Sequence, residues 1–434
     1  MIDFDKNGNP KSIVFSSGKV VNFSETVMPP NRANSTVEPE QIGKYKVIPW
    51  FDGNDYPAKA ALKIKDIPSL KRAIITSAKI ALGQGIFPCL VTGYNSDGSE
   101  ILQIVDDPEI FNSLQSYVMR RYLAKTEYDI ESYGNAFVQL VPNVEGTKIV
   151  NIVPVAAGKC RLNEAEKDGV IKQVLVTGDW ADTDASKITP YILLDEIDPF
   201  GHLMQLKDEN QIKGNTFFMH LKNPFSSNDY YALPNWESAV NWIPIAQKVP
   251  KILNSGIDNA LNILFDIKIP YQYWDKKYPK DEWDNDAERR AKIEADVQLI
   301  EDKFTSPENA KKALITFFDA EDGTENKWEI KVIDTKFNQE NFVTSTAADT
   351  QISLAQGINP DLLGLMYGNS KGGSMQRELL LLQYALSWHE RQLLADPIEM
   401  MLRFNGADEA IQIRFRNTFL TTLDTGSGTA QTLS

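Results

Sequence analysis

Residues 357–373 read GINPDLLGLMYGNSKGG, and this stretch limits what the C-terminal half of the chain can become. It lies between two segments with helical apolar spacing, NFVTSTAADTQISLAQ before it and SMQRELLLLQYALSWHERQLLADPIEMMLRF after it. Glycine costs roughly 0.5–1 kcal/mol against alanine inside a helix, and five glycines occur here. Gly357 is placed to adopt the left-handed conformation that ends the first helix. Ser374 is placed to cap the second, with Met375, Leu379, Leu382 and Leu386 at helical spacing. A hinge, a phosphate cradle and a surface loop all fit this composition.

The phosphate cradle fails on order. A Walker A loop needs glycine, four spacers and then Gly-Lys-Ser/Thr, entered from a strand. Here Lys371 precedes the glycines and a helix leads in. Other chemistry is equally thin. Asp281, Asp284 and Asp286, and separately Asp5, Asn7 and Asn9, imitate calcium-loop spacing but lack the sixth-position glycine and closing glutamate. The three histidines are far apart, and no GxSxG elbow occurs. No cofactor, no metal and no enzymatic reaction are expected. The rival reading is an intracellular hydrolase using paired carboxylates among Asp319, Glu321 and Asp322 in FDAEDGTEN.

A chain of 434 residues is long enough for two or three packed parts. The formal charge of -14 argues against gripping nucleic acid by neutralising phosphates, though not against letting it slide past. No apolar run approaches the roughly 20 residues that span a bilayer, so no membrane partner is expected. The polar, acidic MIDFDKNGNPKS lacks the features of a secretory signal, which predicts a soluble, non-exported protein. Cys89 and Cys160 have no CxxC spacing; two buried thiols are the first reading and a disulfide the alternative.

Local signals set out the rest. The opening residues predict short hairpins turned at Gly8-Asn9-Pro10 and Ser17-Gly18. A helix follows from Ile67 to a stop at Gly83, and another from Asp107-Pro108-Glu109 to Gly134. NAFVQLVP, KIVNIVPV, VIKQVLVTGDW, PYILLDEI and NTFFMHLK predict strands. Helical periodicity then runs from Asn235 to Lys268, with a break or kink at Pro244 and Pro250. A charged helix and a hairpin, ALITFF with WEIKVI, come next. IQIRFRNTF fades into a mobile tail. Tyr271, Tyr273, Trp274 and Trp283 sit among mixed charges, which suits a protein interface better than a single-strand platform.

The order of these parts resembles the portal proteins of tailed bacteriophages. IESYGNAFVQLVPN, HLKNPFSSNDYYALPNWESA, LAQGINPDLLGLM and LLADPIEMMLRF carry the resemblance, which extends over Ile67 to Asn405. It implies an α+β portal-type fold with a mixed α/β wing, two stem helices, a small α/β clip, a glycine-rich tunnel loop and a long wing helix. The parts fall at 1–66 (N-terminal arm), 67–234 (wing), 235–265 (stem helix), 266–337 (clip), 338–356 (second stem helix), 357–373 (tunnel loop), 374–404 (wing helix) and 405–434 (short crown or tail).

The resemblance also implies a homo-oligomeric ring, usually twelvefold in that family, at one vertex of a capsid and so in the virion. Before that, it implies a host-cytoplasmic stage during assembly. Double-stranded DNA would pass along its axis during packaging and ejection. The terminase large subunit, and then head-completion and adaptor proteins, would dock on the clip through Tyr271, Tyr273, Trp274, Trp283, Asp319, Glu321 and Asp322. Major capsid and scaffold proteins would surround the wing. Leu362, Leu363, Leu365, Met366, Tyr367, Asn369 and Lys371 would line the channel or pack between subunits. A different structural component of the virion, such as an adaptor or minor capsid protein, is the alternative within the same class.

Overall fold

The computed structural model describes residues 38–417 apart from 97, 168, 225–229, 284, 305–311, 319–327, 333–338 and 365–372, and three strands before residue 38. Two compact units divide the chain, Met1–Val240 with Thr350–Ser434, and Asn241–Asp349.

In the first unit, strands β1 (Ile2–Phe4), β2 (Pro10–Val14) and β3 (Val20–Asn22) form an antiparallel sheet. They are followed by the pair β4 (Glu40–Ile42) and β5 (Tyr45–Val47). Helices α1 (Tyr56–Asp66) and α2 (Pro68–Leu82) each carry proline in the first turn, where a missing amide hydrogen costs nothing. Gly83 ends α2 as expected, at φ 52°. Strands β6 (Ile86–Tyr94) and β7 (Glu100–Ile104) come next.

The helix expected from Asp107 to Gly134 is two helices, α3 (Pro108–Leu114) and α4 (Tyr117–Tyr133). Asp107 caps the first by accepting from the amides of Glu109 and Ile110, while Ser116 caps the second by accepting from Met119. The added cap explains the break.

Strands β8 (Asn135–Pro142), β9 (Ile149–Val155), β10 (Cys160–Leu162), β11 (Gln173–Val176) and β12 (Thr189–Leu193) follow. Helix α5 (Pro199–Asp208) then crosses to β13 (Phe217–Lys222). The sheet order is β10-β11-β12-β13-β8-β9, and only β12 and β13 are paired in parallel. Residues 199–208 were not expected to be helical, yet Asp198-Pro199 repeats the Asp-Pro start used at Asp107, and Asp198 accepts from Gly201 N–H at 2.8 Å. Cys89 and Cys160 are buried free thiols.

The second unit opens with α6 (Ile243–Asn262). Pro244 falls in its first turn and Pro250 inside it, so the break expected at Pro244 is the helix start. Residues expected to prolong this helix instead form strand β14 (Ile263–Pro270). Then come α7 (Tyr271–Lys277), α8 (Asp286–Phe304), β15 (Lys312–Phe318) and β16 (Glu329–Val332). The predicted hairpin is overturned. β15 and β16 do not pair with one another; β14 lies between them, parallel to β15 and antiparallel to β16. A central strand pairs along both edges, and Ile267 and Ile269 are fully buried there.

Helices α9 (Gln339–Ala355), α10 (Pro360–Leu363), α11 (Gly373–Leu386) and α12 (Trp388–Phe404) complete the helical part. The single long helix expected from Ser374 is broken between α11 and α12 at Ser387, and Ser374 lies inside α11 instead of capping it. The C-terminal fade is also corrected. Residues Ile411–Phe415 form β17, antiparallel to β6, with Ile411, Ile413 and Phe415 buried. Their strict alternation is the period of a half-buried strand. Arg414 holds Glu100 through two hydrogen bonds of 2.8 Å each, which keeps the carboxyl below the usual glutamate range.

The main core of the first unit joins α4, α12 and the large sheet around Ile130, Val138, Leu140, Phe217 and Ile398. Beside it, the segments that carry the portal resemblance interlock. Gly134 ends α4 at φ 70°, and its carbonyl accepts from Asn223 N–H at 2.9 Å. The side chain of Asn135 donates to the carbonyls of Tyr133 and Ala232 and accepts from Ala232 N–H. Trp236 donates to Ser132 O at 3.1 Å, and Tyr231 stacks on Trp50 with centroids 4.7 Å apart. His220 stacks on Phe137 at 4.5 Å and meets Asn135 Oδ1 at 3.0 Å. Burial holds His220 well below the usual histidine range, so it is neutral and serves the fold. Asn135→Ala is expected to cost about 1–3 kcal/mol for each buried group of Ala232 left unpartnered, read as a lower denaturant midpoint at unchanged slope.

Candidate functional site

The glycine-bearing turn begins as expected. Gly357, at φ 84°, donates to Leu354 O at 2.9 Å, and Ile358 donates to Ser353 O at 3.0 Å. These are the two closing bonds of a Schellman motif. Asn359 accepts from Asp361 N–H at 3.0 Å and starts α10, with Pro360 at its first position. Gly364, at φ 73°, ends it. Ile358 and Leu363 are buried with Ala73, Ile80 and Tyr384, and Leu362 packs half-buried against them. Leu363 therefore belongs to a core within its own subunit. Leu365, Met366, Tyr367, Asn369 and Lys371 lie outside the described residues.

Helix α11 turns part of its leucine stripe to solvent. Its inward face carries Gln383 and Tyr384, with Ser387 just beyond its end. Leu381, Leu382 and Leu386 instead point away from the subunit at 49%, 56% and 60% exposure, and Trp388 at the start of α12 follows at 64%. Leu382 and Leu386 are one turn apart, so they form one apolar surface. Each such side chain gains about 1.5–3 kcal/mol when fully buried. A row of them facing water marks a surface made to be covered.

The second unit gathers the expected docking aromatics without exposing them all. Trp274 is buried with Ile267 and Ile269, and Tyr273 packs edge-on to it at 5.1 Å. Trp283 is half-buried against Tyr278. Tyr271, at 52% exposure, is the one of these four on the surface. Lys277 and Tyr278 both hold Asp296, at 2.5 and 2.7 Å, and their hydrogen bonds keep its carboxyl below the usual aspartate range. Asp319, Glu321 and Asp322 lie outside the described residues.

Sequence reasoning missed Glu127 and Glu131. Both are buried, and Glu131 accepts from Gln356, the residue just before Gly357. A weak signal existed: Glu127 falls four residues after Leu123 and three before Ile130, on the apolar stripe of α4. Among the described residues, no helix is long and apolar enough to cross a membrane.

No protein-family model matches the sequence, and no curated protein matches it. Similarity of fold is found. A chain from the neck of an empty gene transfer agent (GTA) particle, computed with C6 symmetry, matches with a TM-score of 0.56 at 14% identity, covering 86% of each chain. A chain from the neck of the native GTA particle, computed with C12 symmetry, matches with a TM-score of 0.52 at 14% identity, over 84% of this chain and 85% of that one. A chain described as an HK97-family phage portal protein from Corynebacterium diphtheriae aligns over 83% of this chain and 94% of that one at 12% identity, but its TM-score of 0.31 supports no argument. The chain thus shares the mixed α and β fold of a particle-neck chain.

Proposed function

We propose that this chain is a portal protein, a ring of identical subunits at one capsid vertex that conducts double-stranded DNA and performs no reaction of its own. The observation that carries this reading is the likeness, over most of both chains, to a GTA neck chain whose structure was computed with C12 symmetry. The apolar face of α11 supports it, because ring closure gives each subunit a neighbour to cover Leu381, Leu382, Leu386 and Trp388. Twelve subunits is the number that this reading takes. The channel residues in this reading are Leu362, Leu363, Leu365, Met366, Tyr367, Asn369 and Lys371. The second unit, with Tyr271 on its surface, is the docking platform for the terminase large subunit during packaging and for adaptor proteins afterwards. Capsid and scaffold proteins surround the first unit. The excess of carboxylates discourages the counterion-releasing contacts that would make DNA stick.

Electron microscopy of the purified protein tests this directly. End-on views are expected to show closed rings with an axial hole wide enough for a duplex, and the protein should not turn over ATP. A monodisperse monomer by mass photometry across salt and protein concentration would overturn the reading. Rings too narrow for a duplex would assign the chain to another neck component.

A further inference from the structure

We propose that Glu127 and Glu131 form a proton-dependent clasp, which fixes the end of α9 to α4 and releases the Gly357 turn when both carboxyls lose their protons. The two lie one helical turn apart on α4, at 0% and 5% exposure, so they share one dry face. Glu131 accepts from the Ser77 hydroxyl on α2 through one oxygen and from the Gln356 amide through the other. Gln356 is itself 2% exposed and immediately precedes Gly357, whose carbonyl accepts from Gln383 on α11 at 3.1 Å. Neither carboxyl oxygen of Glu127 has a partner among the described residues.

The surrounding charges do not neutralise the pair. From α12 come Glu390, one of whose oxygens is also unpartnered, and Arg391. The Arg391 guanidinium is committed to the carbonyls of Ala81 and Ile80, at 2.9 and 3.3 Å, and lies over the rings of Tyr384 and Phe415. On α4, Tyr122 gives its hydroxyl to Leu394 O at 2.9 Å. Ser77 and Gln356, presented by α2 and the end of α9, do not titrate.

Two like charges in such a site cannot both persist without water. Burial, reinforced by Glu131 and Glu390, pushes Glu127 far above the usual glutamate range. Burial, with Glu390 adding to it, pushes Glu131 up to about 8 against the pull of its two hydrogen-bond donors. Both carboxyls therefore bind protons more tightly in the closed state than in the open one. The share of Glu131 in this advantage is complete below about 4.3, the ordinary glutamate value, and is lost as pH rises through about 8. Relief requires hydration. The end of α9 is held to α4 by the bond from Gln356 to Glu131 itself, so hydration of that carboxyl loosens this element first. Every group in the clasp belongs to one subunit, so it stands whether or not the chain forms a ring.

Hydrogen exchange on the full chain at pH 6 and pH 9 tests this, with each amide rate divided by its intrinsic rate at that pH. Amides of 352–364 in the unmodified protein are expected to lose protection by about tenfold or more at the higher pH. The double variant Glu127→Gln with Glu131→Gln should keep equal protection at both. Glu127→Gln alone, which leaves the hydrogen bonds of Glu131 in place, should shrink the loss by about threefold or more while the share carried by Glu131 remains. Equal protection at both pH values in the unmodified protein, or an undiminished loss in Glu127→Gln, overturns the clasp even where the double variant fails to fold.

Discussion

Gly134→Ala is expected to destabilise the first unit by about 2–5 kcal/mol, a change of one methyl group. Two costs combine. The residue sits at φ 70°, where a side chain adds about 1–2 kcal/mol of strain. A Cβ there would also lie 2.7 Å from the carbonyl carbon and oxygen of Leu233 and 2.9 Å from the nitrogen of Pro234. Those are backbone atoms that cannot swing aside, so residues 232–234 and the bonds of Ala232 to Asn135 must shift, at about 1–3 kcal/mol. Gly214→Ala separates the terms. Gly214 has φ 80° but nothing within 4 Å of a built Cβ, so it should lose only the backbone part. Urea unfolding of both variants checks this, and equal midpoints would show that the approach of Leu233 to Gly134 is not a tight one.

On the proposed portal reading, the double substitution Leu382→Asp with Leu386→Asp should abolish the ring and leave the subunit folded. Both side chains face water in the single chain, so the substitution removes nothing from the subunit core. At a covered interface it removes about 1.5–3 kcal/mol of burial per leucine and introduces two carboxylates that must be desolvated. The penalty recurs at every subunit contact around a closed ring. Mass photometry should report monomers at concentrations where the unmodified chain assembles, with circular dichroism unchanged. Intact rings from this variant would remove α11 from the interface.

The two substitutions probe different kinds of information. Gly134, Gly83 and Gly357 end helices where the sequence places them, and Asp107-Pro108 starts one. Strand Asn135–Pro142 has the bounds that NAFVQLVP predicts. The portal resemblance rests on segments that were weak singly. In space, YGNAF, HLKN and YYALPNW meet at Asn135, which bonds with both His220 and Ala232.

What the sequence determined by itself was local: where helices stop, which runs extend, and which nucleotide and metal motifs fail on spacing. Those outcomes depend on the sign of one φ, a missing amide hydrogen or a cap within three residues, all written in neighbouring letters. The tertiary structure alone decided that β14 separates β15 from β16, that β17 completes the sheet with β6, and that Leu382 and Leu386 face outward. It alone placed Glu127 and Glu131 in a dry face with Gln356, which lies 225 positions beyond Glu131. Pairing and solvent exposure are properties of what stands opposite a residue, and chain order does not carry that. An apolar stripe or a pair of carboxyls acquires its meaning only when distant segments arrive to cover it or leave it bare.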